Sequence, residues 1–143
     1  MNSGLRWLHA VAAWLFVAAI VVQVFLAGAA IANLGGNGDF STHIEFGYTA
    51  VGLASLAVLL TSVVSGNGRR QIALCFGLLV LYVVQTILPT LRATSPAIAA
   101  LHPVNAMFLF GFGIVVARRA LIAARQPVPA TAESVPARVG DAA

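Results

Sequence analysis

Lysine is absent from this chain, cysteine occurs once, and charged residues of either sign make up only 8% of its 143 positions. Soluble domains carry roughly a quarter of their residues as Asp, Glu, Lys and Arg, so this scarcity excludes a water-exposed globule. The single thiol, Cys75, excludes an intramolecular disulfide and any multi-thiolate metal site. Its place inside an apolar run makes it a small packing residue. No acidic residue falls deep within an apolar run, which argues against a proton-coupled exporter built on a buried carboxylate. Nucleotide-binding loops, nucleophile–base pairs and basic stripes are missing as well. Nothing therefore argues for an enzyme or for nucleic-acid binding.

Hydrophobic residues make up 60% of the chain and gather into four runs of about twenty residues or more, the length that crosses a bilayer. The fold class expected is an all-α membrane protein, a four-helix up-down-up-down bundle. One domain over 1–125 holds spans at about 5–33, 43–64, 71–91 and 102–124. The apolar run from Leu8 to Ala32 far exceeds the roughly 7–15 residues of a signal-peptide core, so it is read as a retained helix. Gly35-Gly36-Asn37-Gly38 and Ser65-Gly66-Asn67-Gly68 punctuate the chain as turns. Ser41 and Thr42 are expected N-caps of the second span, with Glu45 in its first turn complementing the helix dipole. Pro89 is placed to kink the end of the third span and Pro103 to open the fourth. Residues 126–143, rich in proline and alanine without apolar periodicity, are expected to form a disordered cytoplasmic tail.

All eight basic residues are arginines. Arg6, Arg69, Arg70, Arg118, Arg119 and Arg125 flank the spans on one side, and Arg92 alone lies on the other. The positive-inside rule then puts both termini in the cytoplasm of a multi-pass plasma-membrane protein. His43 and His102 come to lie at the outer ends of their helices.

Two similar hairpins emerge from this arrangement. Val21-Val22-Gln23 precedes His43, and Val83-Val84-Gln85 precedes His102. Polar side chains are costly in hydrocarbon, so a matched set on one side of a bundle points to a site. The second and fourth helices lie on the bundle's diagonal and can aim residues of matching depth at a common axis. Below His43, the residues Gly47, Ala50, Ala54, Ala57 and Thr61 form a small-residue stripe, and Ala106, Leu109 and Gly113 follow His102 more loosely.

Two readings of this set stay open. In the first, His43 and His102 are the axial ligands of one heme b, with Gly47 leaving room, Gln23 and Gln85 donating to the macrocycle edge or to each other, and Arg92 pairing with a propionate. In the second, the glutamines are interhelical glue and the histidines are helix-end residues of a non-catalytic structural or assembly subunit. The partners implied are the bilayer and a membrane protein or second copy of the chain. As a bare metal site, His43 and His102 lack the third or fourth ligand zinc requires, which only Glu45, Asp39 or Asn105 could supply. His9, near Trp7 and Trp14, is read as a snorkelling interfacial residue.

The segments His43-Ile44-Glu45-Phe46-Gly47-Tyr48, Leu101-His102-Pro103-Val104-Asn105-Ala106 and Val22-Gln23-Val24-Phe25-Leu26-Ala27-Gly28 resemble an uncharacterised family of small four-helix bacterial membrane proteins, over Leu5 to about Ala120. That resemblance implies the architecture and a bacterial plasma membrane. More distantly, the chain resembles one half of heme A synthase, whose second and fourth helices each offer heme a histidine near the outer face. On that likeness His43 and His102 are the axial pair. The synthase carries a glutamate three residues before its second-helix histidine where this chain has Phe40, so oxidation of a heme methyl group is not implied.

Overall fold

A computed structural model describes residues 3–35 and 38–127. It is all-helical among these residues. α1 runs Ser3–Ile31, α2 Ser41–Val64, α3 Gly68–Ile87, the short α4 Pro96–Ala99, and α5 His102–Arg125. The four segments Ser3–Ile31, Ser41–Val64, Gly68–Ala93 and Pro96–Arg125 are each long and apolar enough to cross a membrane. Of the expected tail, residues 128–143 lie outside the described residues.

The helix ends follow local chemistry. α1 closes with Asn33 in the left-handed region at φ 57°. The Leu34 N–H donates to the Ala29 carbonyl at 3.0 Å and the Asn33 N–H to that of Ala30 at 3.1 Å, so the last carbonyls are satisfied without glycine. The α2 start differs from expectation. Its N-cap is Phe40, which makes no side-chain capping bond, and Ser41 already belongs to the helix. Asp39 takes the capping part by accepting from the Ser41 hydroxyl and from its backbone N–H, and these bonds hold its carboxyl below the usual carboxylate range. Glu45 consequently falls beyond the first turn.

Pro89 lacks an N–H to continue the α pattern of α3, and the chain tightens into a 3-10 helix over Leu88–Ala93. The stretch left between the expected third and fourth spans, 92–101, is thus largely helical turns.

α1 packs against α2 and α5, and α3 packs against the same two. Small residues let these helices approach: Ala10, Ala13, Ala117, Ala120 and Cys75 are all buried. Phe16 seats against Gly113, where a Cβ would stand 3.1 Å from its ring. Ser55, Ser62 and Ser65 are fully buried and donate to carbonyls three residues back at 2.7–3.2 Å, so they pack as small residues with their hydroxyls satisfied. Leu53 and Met107 are 69% and 75% exposed, as suits faces that meet lipid.

The small-residue stripe on α2 is shifted from its expected course. Gly47–Val51 forms a π-helical turn, which inserts one extra residue and rotates everything after it. Below the turn the buried positions are Val51, Ser55, Val58 and Ser62, one place beyond the Ala50, Ala54, Ala57 and Thr61 series read from uninterrupted α spacing.

Candidate functional site

His43 and His102 meet. Their ring centres are 6.3 Å apart with planes at 77°, and the Phe40 ring stands edge-on to His43 at 6.0 Å. Each imidazole is held by the glutamine of the preceding span, through both the backbone and the side chain of that glutamine. His43 Nδ1 lies 3.1 Å from the Gln23 carbonyl, and His102 Nδ1 lies 3.0 Å from the Gln85 carbonyl. A carbonyl only accepts, so each Nδ1 carries the proton and each Nε2 presents a lone pair. Those lone pairs receive the Nε2–H groups of Gln23 and Gln85, each at 3.3 Å.

The amide orientations are fixed by their other partners. Asn105 Nδ2 donates to Gln85 Oε1 at 2.8 Å and to the Leu81 carbonyl at 3.0 Å, which turns the Gln85 N–H toward His102. Gln23 Nε2 also donates to the His43 carbonyl at 2.9 Å, while its Oε1 is buried without a partner among the described residues. The position that matches Asn105, three residues after the histidine, is Phe46 on α2. The two halves of the site are therefore alike in their His–Gln pair and unlike in its support. The glutamines bond to the histidines and not to each other.

Beside the rings lies a cavity of about 780 Å³, lined by Gln23, His43, Gly47, Tyr48, Tyr82, Gln85, Arg92, His102 and apolar residues including Ile20, Val24, Val51 and Leu109. All six residues singled out from sequence line it. Pockets of this size accommodate cofactors and ligands. Among the described residues no acidic side chain lines it, and Arg92 contributes the one guanidinium. Gly47 fits closely under the amide, since a Cβ there would stand 2.7 Å from Gln23 Nε2.

The carbonyls of Gly47 and Tyr48, at the π turn, accept from the Tyr82 hydroxyl at 3.3 and 3.4 Å. Tyr82 and the π turn carry no signature in the sequence, because the register slip arises from packing.

A bare-ion site is not assembled. Among the described residues no group of three or more His, Cys, Asp or Glu is placed to hold a metal ion. Asn105 is turned to Gln85 and Leu81, and Asp39 to Ser41.

His9 overturns the interfacial expectation. It is fully buried, because its partners lie inside the bundle. Its Nδ1 pairs with Thr61 Oγ1 at 3.0 Å, and Thr61 donates onward to the Ala57 carbonyl at 2.6 Å. Its Nε2 accepts from Gln71 Nε2 at 3.2 Å. Gln71 also donates to the Val116 carbonyl and accepts from Arg119 Nε at 3.1 Å. Fourteen residues, or about 21 Å of helix, separate His9 from Gln23, so this cluster lies toward the opposite end. A glutamine at a span start, beside Arg69 and Arg70, was the available signal.

The chain matches no protein-family model, no curated protein and no solved structure.

Proposed function

We propose that this chain is a small integral membrane protein that binds one heme b between its second and fourth spans, with His43 and His102 as the axial pair, for electron transfer or heme handling. The observation that carries the reading is the facing pair of neutral imidazoles, 6.3 Å apart and anchored through Nδ1, beside a cavity of about 780 Å³. Two imidazoles sharing one iron through bonds of about 2 Å have ring centres roughly 6 Å apart. Nδ1–H bonding to a carbonyl is also the support that orients a ligating histidine and raises its basicity.

In this reading Gln23 and Gln85 hold the Nε2 lone pairs until they are needed as ligands, and Arg92 pairs with a propionate at the cavity wall. Bound heme would supply one-electron chemistry. The finer architecture belongs to the same proposal: two like hairpins running up and down, both termini cytoplasmic, in a bacterial plasma membrane. The likeness to one half of heme A synthase is then one of architecture.

A second reading draws on a specific feature, namely that both nitrogens of each imidazole already have protein partners. The pairs then act as interhelical clamps in a structural or assembly subunit without cofactor.

One experiment separates the two. Protein purified in mild detergent from heme-replete cells is expected to show sharp reduced-minus-oxidised α and Soret bands. His43→Ala and His102→Ala should each abolish the low-spin spectrum almost as fully as the double variant. A colourless protein, or an unchanged spectrum with small additive losses of thermal stability, would sink the heme site and favour the clamps.

A further inference from the structure

We propose that the groove between α1 and α5, at the arginine-bearing end of the bundle, is a specific site for an anionic glycerophospholipid. The groove is a cavity of about 250 Å³ lined by Trp7, Ala10, Val11, Trp14, Leu15 and Leu121. Five of these recur at spacings of three and four along one face of α1, so the walls form a channel running with the helix over about 12 Å. An acyl chain suits a channel of this shape and polarity. Trp7 and Trp14 are 46% and 40% exposed, with indole rings of the kind that settle at headgroup level.

Charge identifies the headgroup. Arg118 and Arg125 stand three residues before and four after Leu121, on the same face of α5. Both are exposed, and among the described residues neither has a hydrogen-bond or ion-pair partner in the protein. Their neighbours are committed elsewhere: Arg119 donates to Gln71, and Arg6 donates to the Ala123 and Gln126 carbonyls. Neither α1 nor α5 contains an Asp or Glu that would answer the two outward guanidiniums. A lipid phosphate does so while its chain fills the groove, and basic sites between transmembrane helices bind anionic headgroups in this way. A soluble phosphate would leave the apolar walls unused.

The test uses the full chain in mild nonionic detergent, with native mass spectrometry reading retained lipid. Phosphatidylglycerol is titrated against phosphatidylcholine of identical chains, and inorganic phosphate serves as the headgroup alone. Phosphatidylglycerol is expected to be retained at unit occupancy, with phosphatidylcholine weaker by tenfold or more and phosphate unable to compete. Arg118→Gln and Arg125→Gln should each weaken retention about fivefold, and added salt should do the same. Val11→Trp, which fills the groove and keeps both charges, should reduce occupancy with no change in fold. Arg70→Gln, on α3, should leave it unaltered. Equal retention of the two lipids, or full occupancy in the Arg118→Gln/Arg125→Gln or Val11→Trp proteins, would mean annular lipid only and overturns the proposal.

Discussion

A neutral imidazole has one donor and one acceptor, and a glutamine side chain offers the complementary pair. In this molecule every histidine is answered by a glutamine: His9 by Gln71, His43 by Gln23 and His102 by Gln85. Each pairing gives the imidazole acceptor an amide donor. The pairings are not equal in worth. Gln71 satisfies His9, the Val116 carbonyl and Arg119 at once, so Gln71→Leu is expected to destabilise the bundle by about 1–2 kcal/mol in thermal or denaturant unfolding. Gln23→Leu should cost less. It removes an unpartnered buried acceptor along with its donor, and the His43 Nδ1 bond goes to backbone and survives. Equal losses for the two variants would contradict this ranking. Gln23, His43, Gln85 and His102 could be singled out because they repeat along the chain, but the expectation joined the glutamines to a macrocycle edge or to each other, and the structure joins each to its histidine. His9 could not, since its partners lie 52 and 62 residues away and no local pattern links them.

Among the elements, the spans could be read from apolar length, and their ends moved by only a few residues. The departures have physical causes. α2 begins at Ser41 because Asp39 caps from outside the helix, and α3 passes into a 3-10 helix because Pro89 cannot donate. The π turn was the main element-scale feature hidden from sequence, and it rotates the lower part of α2 away from the expected stripe. Tyr82 stabilises that turn, and Gly52 makes room for it: a Cβ at Gly52 would stand 2.6 Å from the Tyr82 hydroxyl. Gly52→Ala should therefore expel the hydroxyl from the Gly47 and Tyr48 carbonyls. A stability loss of about 1 kcal/mol is expected, with faster hydrogen exchange confined to the Gly47–Val51 region. If Tyr82→Phe in the Gly52→Ala background adds a further full loss, the proposed contact is not the one being broken.

At the scale of the whole molecule, six of the arginines in the described residues gather toward one set of span ends, and Arg92 stands apart. With loops this short, the positive-inside rule makes that bias a prediction of orientation. A cysteine at Ser95 is expected to react with an impermeant reagent from outside intact cells, and one at Asn67 to react only after permeabilisation. Cys75 is fully buried and supplies no background. Labelling at Asn67 in intact cells would invert the assignment and put His43 and His102 toward the cytoplasm. Composition made the membrane class legible, and the hairpin repeat drew attention to the cavity end. The cluster at the other end depends on four helices converging, which single-chain periodicity does not encode.

That convergence sets an order of events during synthesis. Arg6 is made long before the carbonyls it donates to, which belong to Ala123 and Gln126. At about 5–20 residues per second, roughly 6–24 s pass between translation of the two ends. For all of that interval the bonds from Arg6 to Ala123 and Gln126 are unmade, and for the first part of it so are the bonds from His9 to Thr61 and Gln71. The His9 bonds become possible once Gln71 is made, and the bonds from Arg6 to Ala123 and Gln126 only when α5 docks. Of these four spans, the one made earliest is thus the last to be fastened.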